Sequence, residues 1–283
     1  MSEQNQLAEI GIFGGSGFYD LLENAEVVEI ETPFGKPSDK IIIGVVGGRR
    51  IAFLPRHGKS HQYPPHKIPY KANLWAFKKL GVQRIISPVA VGSLRPDIKP
   101  GDFVICNQFV NWTHTHGLNQ RDDTYYHGEK VDGIKHSEKV AHLSLAEPYC
   151  SELRKVVSDI CEQEKILHHK NGTVVVIEGP RFSTKAESKF FASQGWDIIN
   201  MTAYPEVALA RELGMCYVNI GLVTDYDAGL EGNPSIKPVT TAEVIEIFNK
   251  NNEKIKELIF VIIKNLPVER SCECEKYLEQ AII

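Results

Sequence analysis

Arg84-Ile-Ile-Ser-Pro-Val-Ala-Val91 is mostly apolar and the right length for one strand. A strand of that composition is buried on both faces, so helices are expected above and below it. Toward the C-terminus, apolar runs over 103–110, 172–178, 197–200 and 215–223 predict further strands. Toward the N-terminus, strands are predicted over 10–13, 26–30, 40–46 and 51–54, the second and third joined by the turn-rich Thr32-Pro-Phe-Gly-Lys-Pro-Ser38. A helix over 70–80 stops at Gly81. A second, over 151–167, follows from apolar spacing at 153, 156, 157 and 160. The capping box Thr184-Lys-Ala-Glu187 starts a third, which ends at Gly195. Pro205 fits the first turn of a fourth, running to Gly214. Thr240-Thr-Ala-Glu243 opens a long amphipathic fifth, with Val244, Phe248, Ile255, Ile259, Ile262 and Leu266 on one side. The polar, histidine-rich stretch 111–140 reads as a functional loop or a subunit contact. Early strands follow one another directly and later ones alternate with helices. The fold class is therefore α/β, with a mixed sheet between two helical layers. The simplest organisation is one domain over 1–266 and a C-terminal tail over 267–283.

At 283 residues the chain can bury a substantial core. A net charge of -4 gives no basic excess, so no nucleic-acid partner is expected. The longest apolar runs fall far short of a membrane span, and the polar start has no signal-peptide core. No membrane association is expected, and the default location is cytoplasmic. The six cysteines, Cys106, Cys150, Cys161, Cys216, Cys272 and Cys274, show no Cys-x-x-Cys spacing, and no histidine pair completes a metal set. No metal is expected, and the cysteines read first as buried free thiols. Cys272-Glu-Cys274, in a charged stretch near the end, reads as accessible, either a redox pair or a staple of the tail.

Three polar stretches fall where buried strands end, the usual ligand position in α/β sheets. Gly14-Gly-Ser-Gly17 lets backbone amides approach an anion, with the Ser16 hydroxyl as a further donor. Pro55-Arg56-His57-Gly58 offers a guanidinium fork and an imidazole donor suited to phosphate. Asn200-Met201-Thr202 and the later Thr224-Asp225-Tyr226-Asp227 form the third, with two carboxylates spaced to face one side. Taken singly, each is as readily a tight turn or a solvated pair.

Together with Thr32-Pro-Phe-Gly-Lys-Pro-Ser38, Asn73-Leu-Trp75, Ala90-Val-Gly-Ser93, Ala146-Glu-Pro148, Glu178-Gly-Pro-Arg-Phe-Ser183 and Pro205-Glu206, these stretches resemble the trimeric branch of the purine nucleoside phosphorylases. The resemblance runs over residues 8–266, and within that branch it is to the members that cleave methylthioadenosine. It implies a single-domain three-layer sandwich whose mixed sheet is partly barrel-like. By position it implies phosphate ligands at Ser16, Arg56, His57, Thr202 and the pair Val89-Ala90. At Val89 the family usually carries a hydroxyl residue, and one missing neutral hydrogen bond costs about 1 kcal/mol. Met201 falls under the ribose, Phe182 on the wall of the base pocket, and Thr241 and Val244 on the methylthio pocket. His142 falls where a histidine reaches a neighbouring subunit's site, implying a homo-oligomer, a trimer or a dimer of trimers. Relatives selective for 6-oxopurines carry Asn where Asp225 or its partner sits and Glu where this chain has Ser183, so the resemblance implies adenine.

The expected chemistry is phosphorolysis, with phosphate as co-substrate and no cofactor. Asp227 would protonate or share a proton with N7 of the departing base, and Asp225 would accept from the 6-amino group. A broad purine nucleoside phosphorylase is the nearest alternative. A hydrolytic nucleosidase would not need the Arg56-His57 anion clamp, and a non-catalytic nucleoside-binding protein would not need Asp227 opposite an anion site.

Overall fold

The computed structural model describes residues 7–14, 23–113, 123–230 and 236–283. The apolar run that opened the sequence reading is strand β5 (Arg84–Ser93), and the sheet is organised around it. Along one edge β5 pairs in parallel with β11 (Cys216–Asp225) from Arg84 to Gly92. Its other edge is divided. Residues 84–86 pair in parallel with β1 (Ile10–Gly14), and Gly92 and Ser93 pair antiparallel with β10 (Ile198–Asn200). Between Ile86 and Gly92 that edge has no strand against it among the described residues. This gap is where the site forms.

From β1 the sheet continues through β4 (Arg49–Pro55, parallel), β3 (Ile41–Val46) and β2 (Glu23–Val28), the last two antiparallel. From β10 it continues in parallel through β9 (Thr173–Ile177) to β7 (Gln108–Trp112). A further limb runs from β11 to β6 (Phe103–Ile105) and the two-residue β8 (His168–His169). The sheet is mixed and branches at β5, as expected for a partly barrel-like core. Alternating residues feed two cores. Phe13, Ile85, Val89 and Val91 face one, with helices α1 (Tyr70–Lys79) and α4 (Ala203–Glu212). Ile10, Ile12 and Ile86 face the other, with α2 (Ser151–Gln163) and α5 (Thr241–Asn265). Phe191 of α3 (Lys185–Ser193) packs with Val175, Ile177 and Ile199 in a third cluster. Both capping boxes form, at Thr184/Glu187 and Thr240/Glu243. Among the described residues, no helix is long and apolar enough to cross a membrane.

Three expectations need correction. The run 103–110 is two strands. At Cys106 and Asn107 the chain crosses between limbs, and Asn107 is bonded to Gly172 in both directions (3.1 and 2.8 Å). The helix expected to reach 167 ends at Gln163, because Lys165 takes the left-handed conformation (φ 55°) and the chain turns back. The tail 267–283 does not finish in an accessible Cys-x-Cys. Cys274 is buried, and the tail is held by Arg84 Nη2 donating to the Glu269 carbonyl (2.8 Å), Ser271 N to Glu152 (2.6 Å) and a bridge between Ala141 and Ile282. The cysteines are free thiols, buried except for the half-buried Cys272, and those of Cys150, Cys216, Cys272 and Cys274, scattered in sequence, converge on one another.

Candidate active site

Strands β1 and β4 run in parallel and end level with each other, Gly14 beside Pro55. Arg56 therefore leaves β4 at the gap in the β5 edge. Its guanidinium is buried and bound on one side by Glu206 of α4: Nε donates to Oε2 (2.7 Å) and Nη2 to Oε1 (2.9 Å). Nη2 also donates to the Ser87 hydroxyl (2.6 Å), and Ser87 and Tyr217 both donate to Glu206 Oε1 (3.0 and 2.6 Å). Phe13 covers the guanidinium face at 4.9 Å. Burial alone would lower the Arg56 pKa, but the Glu206 charge outweighs it and holds the group above its ordinary value. Arg56 is thus a permanent, immobile cation. Among the described residues its remaining nitrogen, Nη1, has only a long contact to the Pro88 carbonyl (3.5 Å).

His57 does not match the role expected of it. Its Nδ1 lies 2.9 Å from the Tyr63 carbonyl, which can only accept, so Nδ1 carries a hydrogen. Burial pushes its pKa down to about 4, so at neutral pH Nε2 presents a lone pair. Against an anion, neutral His57 is an acceptor and not the imidazole donor the sequence suggested. It is stacked on His61, ring centroids 4.5 Å apart.

The other pole of the site is the end of β11. The pairing with β5 slips at Thr224, so Leu222 lies beside Ala90 while Asp225 lies beside Gly92. Asp225 accepts from the Thr224 hydroxyl (2.7 Å) and from the backbone N–H of Asp227 (2.7 Å). Asp227 is in the left-handed conformation (φ 48°), which Asp tolerates better than most residues. Gly92 permits this arrangement, since a Cβ there would meet Asp225 Oδ1 at 2.9 Å and Asp227 Cβ at 3.3 Å. Burial raises the pKa of Asp225 to about 6 and also raises that of Asp227. The Ser188 and Ser183 hydroxyls oppose the shift at Asp227 without closing a bond of normal geometry to it. Asp227 Oδ2 and Ser183 Oγ are buried polar atoms with no hydrogen-bond partner among the described residues. Such atoms are costly unless a ligand meets them.

The gap between the poles receives residues from β9 and β10, which end side by side. Thr202, buried ahead of α4, does not use its hydroxyl to cap the helix. Met201 packs against Gly179, where a Cβ would come within 2.5 Å of its sulfur. Ser183 and Phe182, the latter 37% exposed, lie on the segment between β9 and α3. Val89 is buried and Ala90 half-buried on β5 at the gap. Val239 N donates to the Asp227 carbonyl (2.8 Å), bringing the start of α5 to this pole, with Thr241 exposed and Val244 half-buried. His142 is not brought to the site. It is exposed, and its N–H is bonded to Ala281 in the tail (2.9 Å). The Gly14-Gly-Ser-Gly17 expectation, Ser16 included, lies beyond Gly14 outside the described residues.

Glu206, Ser87 and Tyr217 were given no role by the sequence reading. Pro205-Glu206 carried a usable signal: an acid inside the apolar first turns of a buried helix needs a buried cation, and Arg56 was available.

A fixed cation and a pair of raised carboxylates, set along one strand edge of a branched mixed sheet, define an anion-dependent small-molecule site. The chain belongs to the phosphorylase superfamily, whose family model matches residues 9–264. It is 50% identical to an S-methyl-5′-thioadenosine phosphorylase of Nitrosopumilus maritimus, over 96% of this chain and 97% of that one. It is 47% identical to the enzyme of the same name from Pyrococcus horikoshii, over 98% and 100%. Among solved structures it is similar to a variant of adenosine/methylthioadenosine phosphorylase from Schistosoma mansoni in complex with adenine, with TM-score 0.87 and 37% identity, over 97% and 99% of the two chains.

Proposed function

We propose that the chain cleaves S-methyl-5′-thioadenosine with phosphate, releasing adenine and 5-methylthioribose 1-phosphate. One observation carries the reading: Arg56 at the gap and Asp225 and Asp227 beside Gly92 flank the same stretch of β5. Ala90 and Gly92 are two strand residues apart, about 7 Å, a distance a five-membered sugar bridges.

In this reading phosphate sits against Arg56 Nη1, the Thr202 hydroxyl, the Ala90 amide and Ser16. Neutral His57 accepts the one hydrogen of hydrogen phosphate at Nε2. The C1′–N9 bond breaks and its electron pair leaves with adenine. A phosphate oxygen bonds to C1′, and the anion stabilises the cationic sugar carbon meanwhile. Protonated Asp227 gives its proton to N7, and the proton lost by hydrogen phosphate restores it, so the net transfer is one proton from phosphate to adenine. Burial of Asp227 favours the protonated form this step requires. Asp225 accepts from the 6-amino group while holding the Asp227 backbone in place. Met201 lies under the ribose, Phe182 and Ser183 line the base pocket, and Val244 with Thr241 faces the 5′ group.

The exposed, polar Thr241 leaves room for a 5′-hydroxyl, which favours some cleavage of adenosine and inosine as a second reading. The catalytic unit in this reading is 1–266 with 267–283 as its tail, working in the cytoplasm. His142 on its exposed segment serves a neighbouring copy in a trimer or a dimer of trimers. Adenine release from methylthioadenosine with and without phosphate, beside hypoxanthine release from inosine, tests the proposal. Release restored only by phosphate or arsenate, and faster from methylthioadenosine, is expected. Equal release without phosphate overturns it.

A further inference from the structure

Four of the six cysteines meet at a place remote from the nucleoside site. Cys150 caps α2, its sulfur accepting from Leu153 N (3.5 Å). Cys216 opens β11, the end opposite Asp225. Cys272 and Cys274 come from the tail. All four Sγ atoms lie within 4.8 Å of one another, and Cys216 and Cys272 are 3.2 Å apart. Three are buried and Cys272 is half-buried at the rim, which leaves a path from solvent.

Thiols packed together for apolar filling would not attract cations, yet two guanidiniums are placed against them. Arg211 Nη1 is 3.5 Å from Cys274 Sγ and Arg270 Nη1 is 4.0 Å from Cys216 Sγ. Arg211 is itself buried, held by the Glu147 carbonyl (2.7 Å) and by the Tyr277 ring (3.7 Å). The first turn of α2, with its exposed N–H groups, faces the cluster through Cys150. These surroundings suit negative sulfur. A tetrathiolate around a divalent ion carries a net charge of about -2, which two arginines offset. With zinc–sulfur bonds of about 2.3 Å, a tetrahedron has sulfur–sulfur edges of about 3.8 Å, within the spread already present.

We propose that Cys150, Cys216, Cys272 and Cys274 form a tetrathiolate site for one zinc ion that fastens the C-terminal tail to the body of the fold. Soft sulfur donors in a tetrahedral set select this class of ion. Binding replaces four S–H protons with four sulfur–zinc bonds and involves no oxidation. The ion ties α2, the start of β11 and the tail together, joining elements far apart in sequence.

The test is made on the full-length chain, purified with a thiol reductant and without chelator. Elemental analysis is expected to give about one zinc per chain. Exchange with cobalt(II) is expected to give the intense visible bands of a tetrahedral thiolate complex. The pair Cys272→Ser and Cys274→Ser should abolish both signals while adenine release persists. If that pair fails to fold, the zinc content and cobalt spectrum of the unaltered chain still decide. No zinc and no cobalt bands in the reduced chain overturn the proposal, whether mass spectrometry then finds free thiols or disulfides. Zinc retained by a folded double serine variant overturns it equally.

Discussion

Arg56 commits Nε and Nη2 to Glu206 and Ser87, and Tyr217 closes the network from below. Asp227, at the other pole of the same site, keeps Oδ2 buried without a hydrogen-bond partner among the described residues, and the Ser183 hydroxyl is equally unpartnered. The first region is held largely by the protein itself, whereas the second leaves buried polar atoms without a partner among the described residues. The difference matches what each must do. An anion arrives with full charge and needs a cation that does not move. A departing base gains charge during the reaction, so the groups that meet it serve best when their bonds tighten at that moment.

If the Arg56 end is structural as well as functional, breaking its ion pair should cost stability. Glu206→Gln leaves a buried guanidinium without its counter-charge and should destabilise the fold by about 3–5 kcal/mol. Urea denaturation measures this, and a loss under about 1 kcal/mol would mean the pair is no more than a surface-type bridge. Asp227→Asn should do the reverse. Burial raises its pKa by penalising the charged form, so replacing it with the neutral amide should hold or raise the unfolding midpoint. In steady-state kinetics the same variant should lower kcat by about 100-fold or more, with little change in KM. Loss of stability in Asp227→Asn would erase the contrast between the two poles.

The pH dependence sharpens it. Asp225 is pushed up to about 6, so it protonates as the pH falls through that value and stops accepting with both oxygens. At saturating phosphate, kcat/KM for methylthioadenosine should fall on the acid side near pH 6, and Asp225→Asn should remove that limb and shift preference toward 6-oxopurines. An unchanged profile and an unchanged adenosine-to-inosine ratio would contradict the assignment. The smallest effect is expected at Val89, buried at the gap without a hydroxyl. Val89→Thr should tighten phosphate binding by about 1 kcal/mol, read as a lower KM for phosphate at unchanged kcat.

Much of this was legible in the sequence where function rides on backbone-adjacent motifs. Arg56-His57 follows an apolar strand, Asp225 ends another with Asp227 just beyond it, and both capping boxes form where their residues stand. What was not legible depends on partners distant in the chain. Glu206 lies 150 residues from Arg56. The His57 hydrogen-bond role is set by where the Tyr63 carbonyl falls. The thiol cluster draws on α2, β11 and the tail, so no local spacing announces it. The break at Cys106 and Asn107 is invisible to hydropathy, because both halves are apolar strands that differ only in their partners.

The central claim is that phosphate bound at Arg56 attacks the sugar. Turnover of methylthioadenosine with isotopically labelled phosphate measures it directly. One labelled sugar phosphate per adenine released is the result this account requires. Adenine released with an unlabelled free sugar would contradict it.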